Sequence, residues 1–267
     1  MLISELSYNA TTTKFFGVHP YSFFAHIGYI CSVSLFILLL LKYQFPISKY
    51  TQIFLLSGLG LIIGAKLFGI ASGLYDSLLN NKPLSLDIIT KTGIVFYGGL
   101  VGFLVSFIFL CKLRMKYLEK RVLDLVAVCI PLFHFWGRIG CFFGGCCFGK
   151  ETDSKLSILY TTRYLNETIT AQMIPIQLVE ASTNLIIFFI LTYLLFHERL
   201  KHKLIIVYLL TYAIIRFVLE FYRGDYGRGV WLNMSFSQIM SILLIITVFY
   251  INKKNKETKQ WVLDSRK

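Results

Sequence analysis

The chain has 267 residues, 56% of them hydrophobic and 15% charged, with a formal net charge of +13 and a positive mean hydropathy. An ordinary globular domain carries about 25% charged residues, so this balance excludes a conventional water-soluble enzyme. The positive charge would suit nucleic acid, but the cations gather at the ends of apolar runs and form no single basic stripe, so no nucleic-acid partner is expected.

Windows of about 20 mostly apolar residues, the length that crosses a hydrocarbon core, predict helices at Phe23 to Leu41, Ile53 to Leu74, Gly93 to Leu113, Val122 to Phe143, Gln177 to Phe196, Ile205 to Phe221 and Phe236 to Ile251. Met1 to Pro20 holds one lysine and no small-residue cleavage site, so the first span is expected to stay uncleaved. Backbone groups in lipid must pair within their own segment, and unbroken runs of this length are helices, not alternating barrel strands. The expected fold is an all-α membrane protein of about seven transmembrane helices. It forms one polytopic domain over residues 1–267, with a short extracytoplasmic cap at about 148–175 and a basic tail at about 252–267 whose charge predicts disorder.

With seven crossings, one side of the bilayer carries twice the Lys and Arg of the other. The positive-inside rule makes the richer side cytoplasmic. The N-terminus then faces outward and the C-terminus inward, and the surplus charge attracts anionic lipid.

Three cations, Lys66, Arg138 and Arg216, fall within or at the ends of predicted spans. An arginine there is costly unless it faces the bundle interior, a wet cavity or an anion. Arg138 lies in the run from Trp136 to Gly149, which adds five glycines and three cysteines. Arg216 and Glu220 are four apart on one helix face and can pair; two guanidinium forks could instead grip a phosphate, with Glu220 orienting one. Glu180 and Gln177 open a helix, where a carboxylate also suits the helix dipole. Tyr97-Gly98-Gly99 begins another, where small residues mean tight packing or space for a ligand. Lys66 reads as a snorkelling side chain. His134 and His26 read as hydrogen-bonding residues and not as bases. Cys141, Cys146 and Cys147 have a spacing that fits zinc poorly, so packing or a disulfide is expected and no metal.

In this order the pieces resemble the bacterial prolipoprotein diacylglyceryl transferase family. The resemblance rests on Gly98-Gly99-Leu100 after Tyr97, on Gly137-Arg138-Ile139-Gly140 with Gly149 beyond it, and on the helix start from Pro175 to Ala181. Arg216-x-x-x-Glu220 followed by Arg223, and the final-helix opening from Met234 to Ile242, complete it. It implies transfer of a diacylglyceryl group from phosphatidylglycerol to the lipobox cysteine thiol of a prolipoprotein signal peptide, at the outer leaflet of the bacterial cytoplasmic (inner) membrane and with no cofactor. It implies catalytic roles for Arg138, Arg216, Tyr97 and Glu220. Phosphatidylglycerol binding falls to both arginines with Gly98, Gly99, Gly137 and Gly140, and to Cys141, Gly149, Gln177, Glu180 and Arg223.

The chain departs from the family's pattern in several polar positions. Tyr97 replaces a histidine that is a candidate thiol base, and a phenol with an ordinary pKa of about 10 is a poor base near neutrality. Cys141 stands for an asparagine, Cys146 for a glutamate, Phe24 for a tyrosine and Val179 for another. Two other readings stay open: a relative acting on a different lipid or acceptor, and a non-catalytic phospholipid-binding membrane protein or transporter.

Overall fold

The structure, a computed structural model, describes residues 6–11, 14–79, 81, 87–116, 118–164, 167–224, 230–231 and 234–264. Of the cations that set the expected orientation, Lys82, Arg228, Arg266 and Lys267 lie outside the described residues. In chain order the elements are β1 (Ser7–Asn9), α1 (Pro20–Lys42), α2 (Ile47–Leu79), α3 (Asp87–Lys91), α4 (Phe96–Met115), α5 (Lys120–Phe143), β2 (Ile158–Tyr164) and β3 (Glu167–Met173). There follow α6 (Ile176–Phe196), α7 (Leu204–Leu219), a 3-10 turn (Glu220–Tyr222), β4 (Val230–Trp231), β5 (Met234–Ser235) and α8 (Phe236–Asp264).

Seven of the described helices are long and apolar enough to cross a membrane, matching the seven predicted runs. The α5 window is 67% buried and no other span exceeds 39%, so α5 is the central post of the bundle. Near its start the buried Asp124 carboxylate accepts the backbone N–H groups of His202 at 2.6 Å and Leu204 at 3.0 Å. That carboxylate satisfies donors at the beginning of α7 that have no partner within the helix.

Glycine sets how closely the helices approach. A Cβ on Gly98 would lie 2.2 Å from the Gly64 carbonyl oxygen, and one on Gly64 would lie 2.3 Å from that of Gly98. With Gly60 and Gly102 alongside, α2 and α4 meet backbone to backbone, the small-residue packing that substitutes for a hydrophobic drive in lipid. Gly140 does the same for α5 against α1, at Tyr21 and Phe24.

Two helix boundaries and one side chain differ from expectation. The helix predicted from Gly93 begins at Phe96, because the backbone just before it is recruited by α2: Val95 N–H donates to the Ala65 carbonyl at 3.0 Å. Lys66 does not snorkel outward; its Nζ donates to the Thr92 carbonyl at 2.7 Å. The final helix continues to Asp264, well beyond Ile251, so the tail is helical over most of the length expected to be disordered.

The cap carries a sheet that the all-α reading omits. β1 runs parallel to β2, pairing Tyr8 with Tyr160, and β2 runs antiparallel to β3, pairing Ile158 with Met173. Phe142, Phe148, Ile158, Tyr160 and Met173 form its small core. The Tyr160 hydroxyl donates to the Phe142 carbonyl at the end of α5, and Tyr8 donates to the Phe143 carbonyl at 3.1 Å. The sheet thus fixes the end of the helix that carries Arg138.

Candidate functional site

The starts of α4, α6 and α8 and the ends of α5 and α7 meet beneath the cap. The last turns of α5 present Arg138, only 7% exposed. Its Nη2 pairs with Glu180 at 2.9 Å, its Nε donates to His134 Nε2 at 3.2 Å, and its Nη1 reaches only a weak sulfur acceptor, Cys141 Sγ at 4.0 Å. Glu180 is therefore the partner of Arg138 across two helices and not merely a dipole-favoured carboxylate. His134 accepts from the guanidinium, so its Nε2 lone pair is engaged.

Arg216, 4% exposed, sits one turn before the end of α7. Its Nη2 pairs with Glu220 at 2.5 Å and donates to Ser237 Oγ at 3.1 Å, while its buried Nη1 has no hydrogen-bond partner among the described residues. The i,i+4 pair expected from sequence is present, and it leaves one edge of the fork unused. Buried donors without partners cost about 1–3 kcal/mol each, more when charged, so an acceptor placed at this edge would be stabilising. Arg223, 8% exposed, follows after the 3-10 turn. Arg138, Arg216 and Arg223 all line the same space, so three guanidinia converge on one region.

They open into a cavity of about 750 Å³, within the usual range for small-ligand sites. Its lining includes the three arginines, from the ends of α5 and α7 and the turn beyond, and Phe54, Leu61, Leu100 and Phe103 of α2 and α4. Tyr97, Gly99, Gly137 and Cys141 also face this space. Among the described residues nothing lies within 4 Å of a Cβ added to Gly137, which makes it the open floor beside Arg138.

The remaining expected ligand-binding residues stand behind the wall. Gly98 and Gly140 are packing positions, as above. Gly149 bridges to Arg223 and has the Ile174 carbonyl oxygen 2.4 Å from an ideal Cβ. Gln177 Nε2 donates to the Cys146 carbonyl at 2.9 Å. Glu180 and Glu220 hold their arginines.

Tyr97 is buried with its hydroxyl 2.6 Å from Ser241 Oγ. Ser241 donates its own proton to the Ser237 carbonyl at 2.9 Å, so Tyr97 must be the donor to Ser241. Its proton is committed, and its remaining lone pairs can only accept. The contributions of Ser237 and Tyr21, which line the cavity, have no local signal in the sequence, because each acts through a contact between distant segments. His134 had one, its four-residue spacing from Arg138. His26 is exposed and bonds to the Ser22 carbonyl of its own helix, away from this chemistry.

The three cysteines of the glycine run are free thiols, and their sulfur atoms all lie within 4.8 Å of one another. Cys147 is held well below the usual thiol range, first by hydrogen bonds from Cys141 and Cys146 and then by Arg223 and Arg138.

A family model described as prolipoprotein diacylglyceryl transferase matches residues 9–252. A phosphatidylglycerol-prolipoprotein diacylglyceryl transferase of Campylobacter jejuni subsp. jejuni is 30% identical over 263 residues, covering 92% of this chain and 93% of the relative. One of Helicobacter pylori (strain Shi470) is 32% identical over 236 residues, covering 81% of each. One of Clostridium tetani is 29% identical over 205 residues, covering 76% of this chain and 79% of the relative.

Proposed function

The chain belongs to the prolipoprotein diacylglyceryl transferase family, and from that premise we propose that it moves the diacylglyceryl group of phosphatidylglycerol onto the lipobox cysteine of a prolipoprotein. The observation that carries the reading to this chain is the mixed lining of one cavity, three buried arginines together with an apolar wall from α2 and α4. A phosphodiester with acyl chains combines the same two chemistries. Nη1 of Arg216 and the weakly engaged Nη1 of Arg138 take the phosphate oxygens, and the apolar wall takes the start of the chains.

In the reaction the cysteine sulfur attacks the glycerol carbon that bears the phosphate ester. A C–S bond forms as the C–O bond breaks, and the bonding pair leaves on the phosphate oxygen. The thiol proton passes to the departing glycerol phosphate or to water, so the exchange balances without an added acid. Buried guanidinia favour this step twice: they lower the cost of a thiolate beside them, and they stabilise the charge that collects on the leaving oxygen. Tyr97, whose proton is held by Ser241, serves as a hydrogen-bond acceptor for the incoming thiol and not as a phenolate base. The site works at the outer leaflet of the bacterial inner membrane, the side given by the distribution of lysine and arginine.

Expression in a bacterium depleted of its own transferase tests the reading. Restored growth, with a reporter prolipoprotein that partitions into detergent as a diacylglyceryl thioether, is the expected result. Binding of phosphatidylglycerol without any modified reporter would identify a non-catalytic lipid-binding relative instead.

A further inference from the structure

Cys141, Cys146 and Cys147 are not explained by phosphate binding or by thioether formation. The expectation of packing or a disulfide came from spacing along the chain, whereas the fold brings all three sulfur atoms within 4.8 Å of each other. A zinc–thiolate bond is about 2.3 Å, so thiolates sharing a zinc ion stand about 3.8–4.0 Å apart. The trio needs to close by about 1 Å or less to reach that spacing.

The loop that presents them is held chiefly by hydrogen bonds to nitrogen and oxygen, with one weak contact from Cys146 Sγ to the Cys141 carbonyl at 3.8 Å. Cys146 N–H donates to the Cys141 carbonyl at 3.1 Å, and the Cys146 carbonyl accepts from Gln177 Nε2 at 2.9 Å. Thr162 Oγ1 donates to the Gly145 carbonyl at 2.6 Å. Gly145 and Cys147 both have left-handed backbone, with φ of 75° and 64°; a cysteine there is strained where glycine would be relaxed. Cys141 is buried and Cys146 is exposed, which gives the cluster both a sheltered side and an entry side. The cluster lines the same cavity as Arg138 and Arg223, and these cations offset the negative charge of a metal trithiolate.

We infer that Cys141, Cys146 and Cys147 form a three-thiolate site for one thiophilic cation of the zinc or copper(I) class, at the edge of the lipid cavity. Soft thiolates select these metals, and three protein ligands leave one position open. The bound ion fastens the loop of residues 144–149 to the last turn of α5, next to Arg138.

The test uses the full chain, reduced, metal-free and in detergent, titrated with cadmium(II) and followed by its thiolate charge-transfer absorption. One cadmium ion per chain is expected, displaced by copper(I) and able itself to displace zinc(II). The band is lost in Cys141→Ser and Cys147→Ser and retained in a variant with Cys31, Cys111 and Cys129 all changed to alanine. Mass-spectrometric mapping of alkylation on the wild-type chain gives a readout that needs no variant: cadmium should protect the three clustered cysteines and leave Cys31 reactive. Absence of the band, a band that survives both serine variants, or alkylation unaffected by cadmium would each overturn the inference.

Discussion

Replacing Glu180 with glutamine removes one charge from the centre of the bundle and leaves nearly the same shape. Arg138 then keeps its guanidinium at 7% exposure with no carboxylate at 2.9 Å to balance it. Breaking a buried ion pair from one side costs about 3–5 kcal/mol, and the amide oxygen can still accept one hydrogen bond, so the lower figure applies. Unfolding entropy of about 2.1 cal/mol/K per residue gives about 0.56 kcal/mol/K for 267 residues. The melting temperature should therefore fall by about 5 °C. An anion seated against Arg138 would supply the missing charge, so phosphatidylglycerol should raise the melting temperature of Glu180→Gln more than that of the wild type. Phosphatidylcholine, with no net charge, should not. Differential scanning fluorimetry in detergent with each lipid measures both effects. A variant that melts within about 1 °C of wild type, or that responds equally to the two lipids, would refute the placement of Arg138 as a buried cation facing a lipid phosphate.

Arg216→Lys keeps the charge and loses the planar fork held by Glu220 and Ser237; one charge-assisted hydrogen bond lost is about 1.5–3 kcal/mol. Reporter lipidation should slow about 10- to 150-fold, and an unchanged rate would show that only charge matters there. Tyr97→Phe keeps the ring and removes the hydroxyl that donates to Ser241, so transfer should slow by less than about tenfold. A loss of about a thousandfold or more would make Tyr97 the thiol base after all. Gly98→Ala puts a methyl group 2.2 Å from the Gly64 carbonyl oxygen, so the α2–α4 contact must open; heat-resistant protein recovered in detergent should drop sharply, whereas Gly137→Ala, with nothing within 4 Å, should fold normally.

The spans were legible because a hydrocarbon core demands about 20 apolar residues wherever it is crossed. The Arg216 and Glu220 pair was legible for a similar reason, since four residues along a helix is a fixed distance. What escaped was non-local. Nothing near Glu180 in sequence names Arg138 as its partner, and the start of α4 depends on the carbonyl of Ala65, thirty residues before Val95. The glycines were visible, yet only the crossing of α2 and α4 assigns Gly98 to packing and Gly99 to the cavity wall. The cap sheet did leave a signal in the Thr and Ile pattern of β3, Glu167–Met173; the short polar connection outweighed it.

Joining the lipid to the thiol should require no protein other than this chain. Purified protein, phosphatidylglycerol labelled in its acyl chains and a synthetic lipobox peptide, analysed by mass spectrometry, test it directly. Wild-type protein should yield a peptide heavier by one diacylglyceryl group together with an equal amount of glycerol phosphate, and Arg138→Ala should yield neither. Unmodified peptide with the wild-type protein folded and phosphatidylglycerol bound would contradict the account.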